Sequence, residues 1–247
     1  MLSIYGKSHI GEKRHINEDT MKWARLNEEC ALVVVCDGMG GHSGGDIASR
    51  LAAGRLTSEV LTGYRESMTD SDLTTLLRDG FLQADSVIKE MAMVDSSLDG
   101  MGTTAVCALC TKNRAYIANM GDSRAYKISK NKIEQITVDH SLVQEMMEQG
   151  QLTEKQAKEH PQKNLITKAL GVVDIPLPDI IRTDFVDDDI LCLCTDGLTN
   201  HLSDDEIYKI VKKNKLENCP DILIDLANER GGVDNITVAV ISRENII

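Results

Sequence analysis

Four aspartates of this 247-residue sequence stand beside β-branched, apolar runs that are typical of strands. Asp37 and Asp196 each lie between such a run and a glycine, Asp122 follows a third run, and Asp234 precedes a fourth. One Asp-Gly pair alone is more often a turn. If all four strand ends lie together, mutual repulsion raises the pKa values of the carboxylates, and a cation relieves it. Oxygen ligands select hard ions such as Mg²⁺ or Mn²⁺, so the pattern predicts a metal site.

The strands that must position these acids are short. We predict them at residues 31–36, 104–110, 114–119, 124–129, 132–137, 190–195 and 236–242. Short polar turns separate the middle four, which predicts antiparallel hairpins.

Helical periodicity predicts two long helices, over residues 46–61 and 73–93. Two further helices are predicted from their first turns, one at the capping box that opens at Ser203 and one at Pro220. Strand groups that alternate with helix pairs predict an α+β layered sandwich, and we expect residues 1–247 to form a single domain. The polar, helix-prone segment 141–171 is predicted to be a mobile flap over one end of the sheets.

The stretch VVVCDGMGGHSGGD, residues 33–46, carries five glycines after its apolar run. Its spacing fails as a phosphate-binding P-loop, because Asp46 stands where that motif has lysine. It also fails as a dinucleotide fingerprint, because Ser43 takes the place of the last glycine when the motif starts at Gly38. The glycines instead favour a close approach of the backbone to a metal ion or its water.

The N-terminal segment GEKRHINED places Arg14 four residues before Glu18 and five before Asp19. A guanidinium group matches the oxygen geometry of phosphate, which makes Arg14 a candidate phosphate ligand. Arg14 is also one of a basic trio with Lys13 and His15, which is equally typical of a solvated turn.

The net charge of −12 argues against nucleic acid or an anionic membrane as the main partner, although bound metal still permits a phosphate substrate. We find no signal peptide and no apolar run of about 18 residues that would span a bilayer. The sequence has seven cysteines, an odd number that cannot all pair within the chain, and most of them lie in apolar runs. We therefore expect reduced thiols and a cytoplasmic protein.

Taken in order, the motifs resemble the metal-dependent protein phosphatases of the PPM type, also called the type 2C family. The motifs are GEKRHINED, VVVCDGMGGHSGGD, GMGTTAV, ANMGDSRAY, VDHSLV, HPQKNLITKALG, LCTDGLTNHL and GGVDNITVAV, and they cover nearly the whole chain. DGMGGH and HPQKNLITKALG resemble the bacterial branch, whose members oppose eukaryotic-like Ser/Thr kinases.

The resemblance implies a four-layer αββα sandwich of two antiparallel sheets, with two Mn²⁺ or Mg²⁺ ions at one edge. Its implied site residues are the bridging Asp37, the carbonyl of Gly38, the first-ion ligands Asp196 and Asp234, Glu18 for the second ion, its neighbour Asp19, and the phosphate-binding Arg14. Asp122 matches the acid that, with Asp196, binds a third ion in bacterial members. Asp37, Asp196 and Asp234 are the predicted catalytic residues.

The implied activity is hydrolysis of phosphoserine and phosphothreonine in proteins by a water or hydroxide that bridges the two ions. The expected partners are phosphoproteins, including a cognate Ser/Thr kinase, and the chain is expected to be a monomer. Two alternatives are a catalytically silent phosphoprotein-binding module and a partner-switching phosphatase for an anti-anti-sigma-like protein. The full set of acids argues against the first, and the absence of sensor extensions argues against the second.

Met39 stands where many eukaryotic members have a histidine that is proposed as the general acid, although bacterial members commonly carry Met there. The proton donor is therefore unassigned. His42 is a weaker candidate for that role, and His140 and His160 are interpreted as structural.

Overall fold

The computed structural model describes residues 1–243, without the side chains of residues 41–43. Within these residues, strands β1 to β11 lie at Leu2–His9, Asp19–Arg25, Ala31–Met39, Gly102–Thr103, Ala105–Cys110, Arg114–Met120, Arg124–Ile128, Ile133–Gln135, Asp179–Asp184, Ile190–Cys194 and Ile236–Arg243. Helices α1 to α7 lie at Gly41–Gly63, Asp70–Val94, Leu142–Glu148, Glu154–Glu159, Asp196–Thr199, Asp204–Lys213 and Cys219–Glu229.

The strands form two antiparallel sheets. The order is β1-β11-β10-β7-β8 in the first sheet and β2-β3-β5-β6-β9 in the second, where the short β4 also pairs with β3. The sequence of β3 shows how the sheets stack, because its side chains alternate between two faces. Leu32, Val34 and Cys36 pack against α1 and α2, whereas the odd-numbered neighbours Val33 and Val35 pack against the first sheet.

A third apolar cluster covers the outer face of the first sheet. It packs β10 and β11 against α6 and α7, through residues such as Val238, Ile207 and Leu223. The layers therefore run helix pair, sheet, sheet, helix pair, which confirms the predicted α+β sandwich of αββα type. The capping box at the start of α6 is also present, with Ser203 and Glu206 exchanging hydrogen bonds.

One part of the predicted hairpin series is wrong. β5 pairs with β6 and β7 pairs with β8, but β6 and β7 belong to different sheets. The turn between them therefore crosses from the second sheet to the first. Gly121 makes the turn possible, since its φ of 112° is rare for residues with a side chain, and a Cβ there would lie 2.5 Å from the Thr104 side chain.

The predicted flap segment contains α3 and α4 and lies between β8 and β9. Its base is a short antiparallel contact in which the Leu142 amide donates to the Leu165 carbonyl at 2.9 Å, next to a bridge between Ser141 and Ile166. Among residues 1–243, no helix has the length and apolar character needed to cross a membrane.

Candidate metal centre

The predicted acids converge at the edge of the sandwich where the two sheets face each other. Asp37 lies near the end of β3 and Asp19 begins β2, and the two residues are partners in the register of that strand pair. Asp196 begins α5 directly after β10, and Asp234 lies just before β11. The close packing of the two sheets therefore brings together acids that are distant in sequence.

Asp37 is held through its backbone. Its amide donates to the Thr104 hydroxyl at 3.0 Å, and its carbonyl accepts from the Thr103 hydroxyl and from the Thr104 amide, both at 2.8 Å. Burial, followed by the charges of Asp19 and Asp196, raises the pKa of Asp37 well above its ordinary value. The backbone that carries the carboxyl is thus fixed in place, and the carboxyl is costly to ionise without a cation beside it.

Asp19 lies deepest, with only 7% of its surface exposed. Its Oδ2 accepts from the hydroxyls of Thr195 at 2.9 Å and Thr237 at 2.7 Å. Burial raises the pKa of Asp19 to about 7, and the two hydroxyl contacts oppose that rise. The residue types of Thr195 and Thr237 gave no sign of this role, since their contacts join strands that are far apart in sequence.

Asp196 is oriented by Asn200, which donates to its Oδ2 at 3.0 Å across one turn of α5. Burial and the charge of Asp234 raise the pKa of Asp196, while hydrogen bonds from Asn200 and from the Asp37 carboxyl oppose the rise. Asp122 lies in the turn between β6 and β7 and is 8% exposed. Burial and the charge of Asp196 raise the pKa of Asp122 to about 8.

Arg14 stands at the open side of the centre. Its Nη2 lies 2.9 Å from Asp234 Oδ2, and its Nη1 lies 3.6 Å from Glu18 Oε2. The Arg14 side chain is 45% exposed, so the guanidinium faces solvent while it is paired with these two acids. Burial raises the pKa of Glu18, and the neighbouring Arg14 opposes that rise.

Asn235 joins the N-terminal segment to this edge. Its side-chain nitrogen donates to the carbonyls of Ile10 and Ile16 at 2.9 and 3.0 Å, and its oxygen accepts from the Glu18 amide at 2.8 Å. Because Asn235 is 3% exposed and makes all three contacts, it fixes the loop that carries Arg14. Its place after Asp234 was visible in the sequence, but its partners were not.

The glycines next to the acids are required by close backbone approach. A Cβ on Gly38 would lie 2.0 Å from the Gly45 carbonyl oxygen, and one on Gly45 would lie 2.4 Å from Glu18 Oε1. This packing is between protein atoms, so the approach of these glycines to a metal ion or its water stays a prediction. Met39 is partly exposed beside β4, and the His42 side chain lies outside the described residues.

The hydrogen bonding of the acids leaves room for a divalent cation. One carboxylate oxygen of each of Asp19, Asp122 and Asp196 is buried without a hydrogen-bond partner, which is costly unless a cation or water pairs with it. Within the described part of the chain, no three Asp, Glu, His or Cys side chains are already grouped as a set of metal ligands. An ion at this edge would therefore also need ligands such as the backbone carbonyl and water.

Comparison with known proteins identifies the family. The sequence profile of the family Protein phosphatase 2C matches residues 5–218. The chain belongs to the protein phosphatase 2C family. As a member of this metal-dependent family, it is a metal-dependent protein phosphatase.

Individual relatives agree with this assignment along the whole chain. The serine/threonine phosphatase stp of Listeria welshimeri is 39% identical over 94% of this chain and 92% of its own. The structure of the serine/threonine phosphatase Stp1 from Staphylococcus aureus is similar, with a TM-score of 0.92 and 35% identity over 99% of this chain and 96% of its own. The catalytic domain of PstP in complex with two manganese ions is also similar, with a TM-score of 0.84 and 30% identity over 98% of this chain and 97% of its own.

Proposed function

We propose that this protein phosphatase hydrolyses phosphoserine and phosphothreonine in proteins, with two Mn²⁺ or Mg²⁺ ions bound among the converged acids. The observation that carries the proposal is the group of three buried carboxylate oxygens that lack a hydrogen-bond partner, on Asp19, Asp122 and Asp196. The names of the serine/threonine phosphatases Stp and Stp1 support the substrate class, and the two manganese ions of PstP support the number of ions.

Our ligand assignment follows the positions of the acids. Asp37, near the end of β3 and surrounded by the charges of the other aspartates, would be the ligand shared by the two ions, and the Gly38 carbonyl would be a backbone ligand. Asp196 and Asp234 would complete the first ion from the facing sheet. Glu18 would serve the second ion through water, with its neighbour Asp19 behind it, as expected for an acid beside the exposed Arg14.

Asp122 is our candidate for a third ion shared with Asp196. Its carboxyl is buried, and the charge of Asp196 is the largest contribution to its raised pKa after burial. A cation between the two carboxylates would remove this repulsion. One oxygen on each residue has no hydrogen-bond partner, so both are available as ligands.

The ions, when bound, supply a coordinated water of lowered pKa and positive charge near the transferred phosphoryl group. The protein's own residues supply orientation. Arg14 would hold two phosphate oxygens with its guanidinium group, after release from Asp234. Asn200 keeps the Asp196 carboxylate turned toward the site, and Asn235 keeps the Arg14 loop against it.

We assign no side chain to protonation of the leaving group. Met39 has no proton to give and lies beside Gly38, in β3. Solvent at the open side of the centre, where the Arg14 side chain is 45% exposed, suffices to protonate a serine or threonine alkoxide. The proposed reaction therefore needs no histidine at position 39.

The proposed setting is the cytoplasm. The seven cysteines are all free and buried, as expected for a protein kept in a reducing compartment. The proposed partners are phosphoproteins, among them a Ser/Thr kinase that this enzyme opposes, and we propose that the chain acts as a monomer.

Peptide hydrolysis tests the substrate and the metal together. We expect release of phosphate from phosphothreonine and phosphoserine peptides with Mn²⁺, little release from a phosphotyrosine peptide of the same sequence, and none after chelation. Equal turnover of the phosphotyrosine peptide would contradict the substrate class. Full turnover after exhaustive chelation would contradict the metal centre.

A further inference from the structure

His140 lies at the junction between the candidate metal centre and the flap. It is 7% exposed, and it directly precedes Ser141, the first residue of the flap. Both ring nitrogens have partners: Nδ1 accepts from the Gly121 amide at 3.0 Å, and Nε2 lies 3.1 Å from Asp179 Oδ2. Since the Gly121 N–H is a donor, Nδ1 carries no proton, and Nε2 donates to Asp179.

The backbone of His140 strengthens the same contact. Its amide donates to the Gly121 carbonyl at 3.0 Å, so both polar groups of Gly121 are bound to one residue. Gly121 can adopt its φ of 112° because it has no side chain, and the two contacts to His140 hold it in that conformation. Asp122 follows immediately, and the direction of its side chain depends on that peptide.

His140 also contacts both ends of the flap. Its carbonyl accepts from the Thr167 amide at 2.8 Å, where the flap returns to its base. Its ring partner Asp179 is the first residue of β9, where the chain re-enters the second sheet. Through its ring and its backbone, His140 therefore connects the start of the flap, its return and the turn that carries Asp122.

We propose that His140 is a positioning residue that holds the Gly121–Asp122 turn against the base of the flap, and so sets the Asp122 carboxylate for a cation. The part of this proposal that concerns cation binding rests on the proposed role of Asp122 as a ligand of a third ion. His140 is not proposed to contact the substrate. It acts through the hydrogen bond from Gly121 and through the two backbone contacts that flank it.

The chain offers matched variants. His140→Leu removes both ring contacts, whereas His140→Asn keeps an acceptor near the place of Nδ1 and loses only the contact to Asp179. His160→Leu is the control, because His160 lies in the flap and its ring accepts from the nearby Gln162 amide at 3.2 Å. Asp179→Ala leaves the core intact and removes only the partner of Nε2.

Hydrogen exchange measures the connection itself. We expect the amides of Gly121 and Thr167 to exchange at least about tenfold faster in H140L than in the wild type, with a smaller change in H140N and D179A and none in H160L. The connection is refuted if H140L leaves both amides protected, or if H160L exposes them equally. If H140L does not fold, the exchange rates of H140N and D179A are compared with those of H160L, and protection equal to that of H160L refutes the connection.

Mn²⁺ binding, followed by electron paramagnetic resonance of the free ion, measures the consequence for Asp122. We expect H140L to weaken the weakest Mn²⁺ site by about 10- to 100-fold, H140N to weaken it less, and H160L to leave it unchanged. In an Asp122→Asn background, H140L should have no further effect. An equal effect in both backgrounds would show that His140 does not act through Asp122.

These two measurements separate the failure of this proposal from the failure of the proposed function. If D122N binds Mn²⁺ as the wild type does, the third-ion assignment of Asp122 is wrong. The exchange rates of Gly121 and Thr167 still decide whether His140 holds the turn to the flap.

Discussion

Asp19 and Asp37 face each other across the antiparallel strands β2 and β3, and the charge of Asp19 is the largest contribution, after burial, to the raised pKa of Asp37. Two threonine hydroxyls, from Thr195 and Thr237, bind the inner oxygen of Asp19. Neutral donors therefore stabilise one oxygen of Asp19, and the other Asp19 oxygen is buried without a hydrogen-bond partner.

Thr237→Val tests that support. The variant keeps the shape of the side chain and removes the hydroxyl that donates to Asp19 at 2.7 Å. Because a buried carboxylate then loses a partner, we expect the free energy of unfolding to fall by about 1–3 kcal/mol in urea denaturation. Thr62→Val, on the exposed face of α1, is the control and should change stability by less than about 0.5 kcal/mol. Equal stability of the two variants would show that the hydroxyl does not support Asp19.

Arg14→Ala tests phosphate binding. Arg14 contacts Asp234 and Glu18 from the open side of the centre, where a substrate phosphate would arrive. We expect KM for a phosphothreonine peptide to rise about tenfold or more, with a smaller change in kcat, because a charged hydrogen-bond donor to the bound phosphate is lost. Lys13→Ala, the exposed neighbour, should leave both constants near those of the wild type. A large loss of kcat at unchanged KM would place Arg14 in the transition state instead.

Glu206→Gln tests an ion pair at the start of α6. A hydrogen bond from Arg230, with further bonds from Ser203, lowers the pKa of Glu206 to about 2, below the ordinary value of 4.5. The folded state therefore favours the charged form, so its contribution to stability is present above about pH 4.5 and is lost as the pH falls toward 2. We expect the wild type to melt above E206Q at pH 7 and the gap to narrow by pH 3. A gap that is the same at both pH values would rule out the charge of Glu206 as its source.

The sequence identified the central strands and the acids beside them because both signals are local. An uninterrupted apolar run marks β3 and β10, and an Asp-Gly pair follows each run. The strands that the sequence reading missed include β1, β2 and β9, all of which lie at sheet edges. Edge strands are partly exposed, so their apolar pattern is weak, as the half-buried DIIRTD of β9 shows.

The hydrogen bonds that support the site acids could not be predicted from the sequence, for a different reason. Asn235 binds carbonyls more than 200 residues earlier in the chain, and Thr195 binds Asp19 across the two sheets. No local pattern encodes a hydrogen bond that forms only after the sheets pack. The same holds for the crossing between sheets at Gly121, because a short polar turn between two strands is equally typical of a hairpin within one sheet.

In the proposed metal centre, Asp37 binds divalent cations that are required for phosphoester hydrolysis. The most direct test is the Mn²⁺ response of Asp37→Asn, read both as turnover of p-nitrophenyl phosphate and as the shift of the melting temperature on adding Mn²⁺. Asp187→Asn is the matched control, since Asp187 is an exposed acid in the loop before β10, at the opposite end of that strand from Asp196.

We predict that D187N keeps wild-type turnover and wild-type stabilisation by Mn²⁺. D37N should remain folded, lose at least about 1,000-fold in turnover because the bridging ligand is absent, and show little stabilisation by Mn²⁺. Near-normal turnover by D37N, or unchanged stabilisation by Mn²⁺, would contradict the metal centre proposed at this edge of the sandwich.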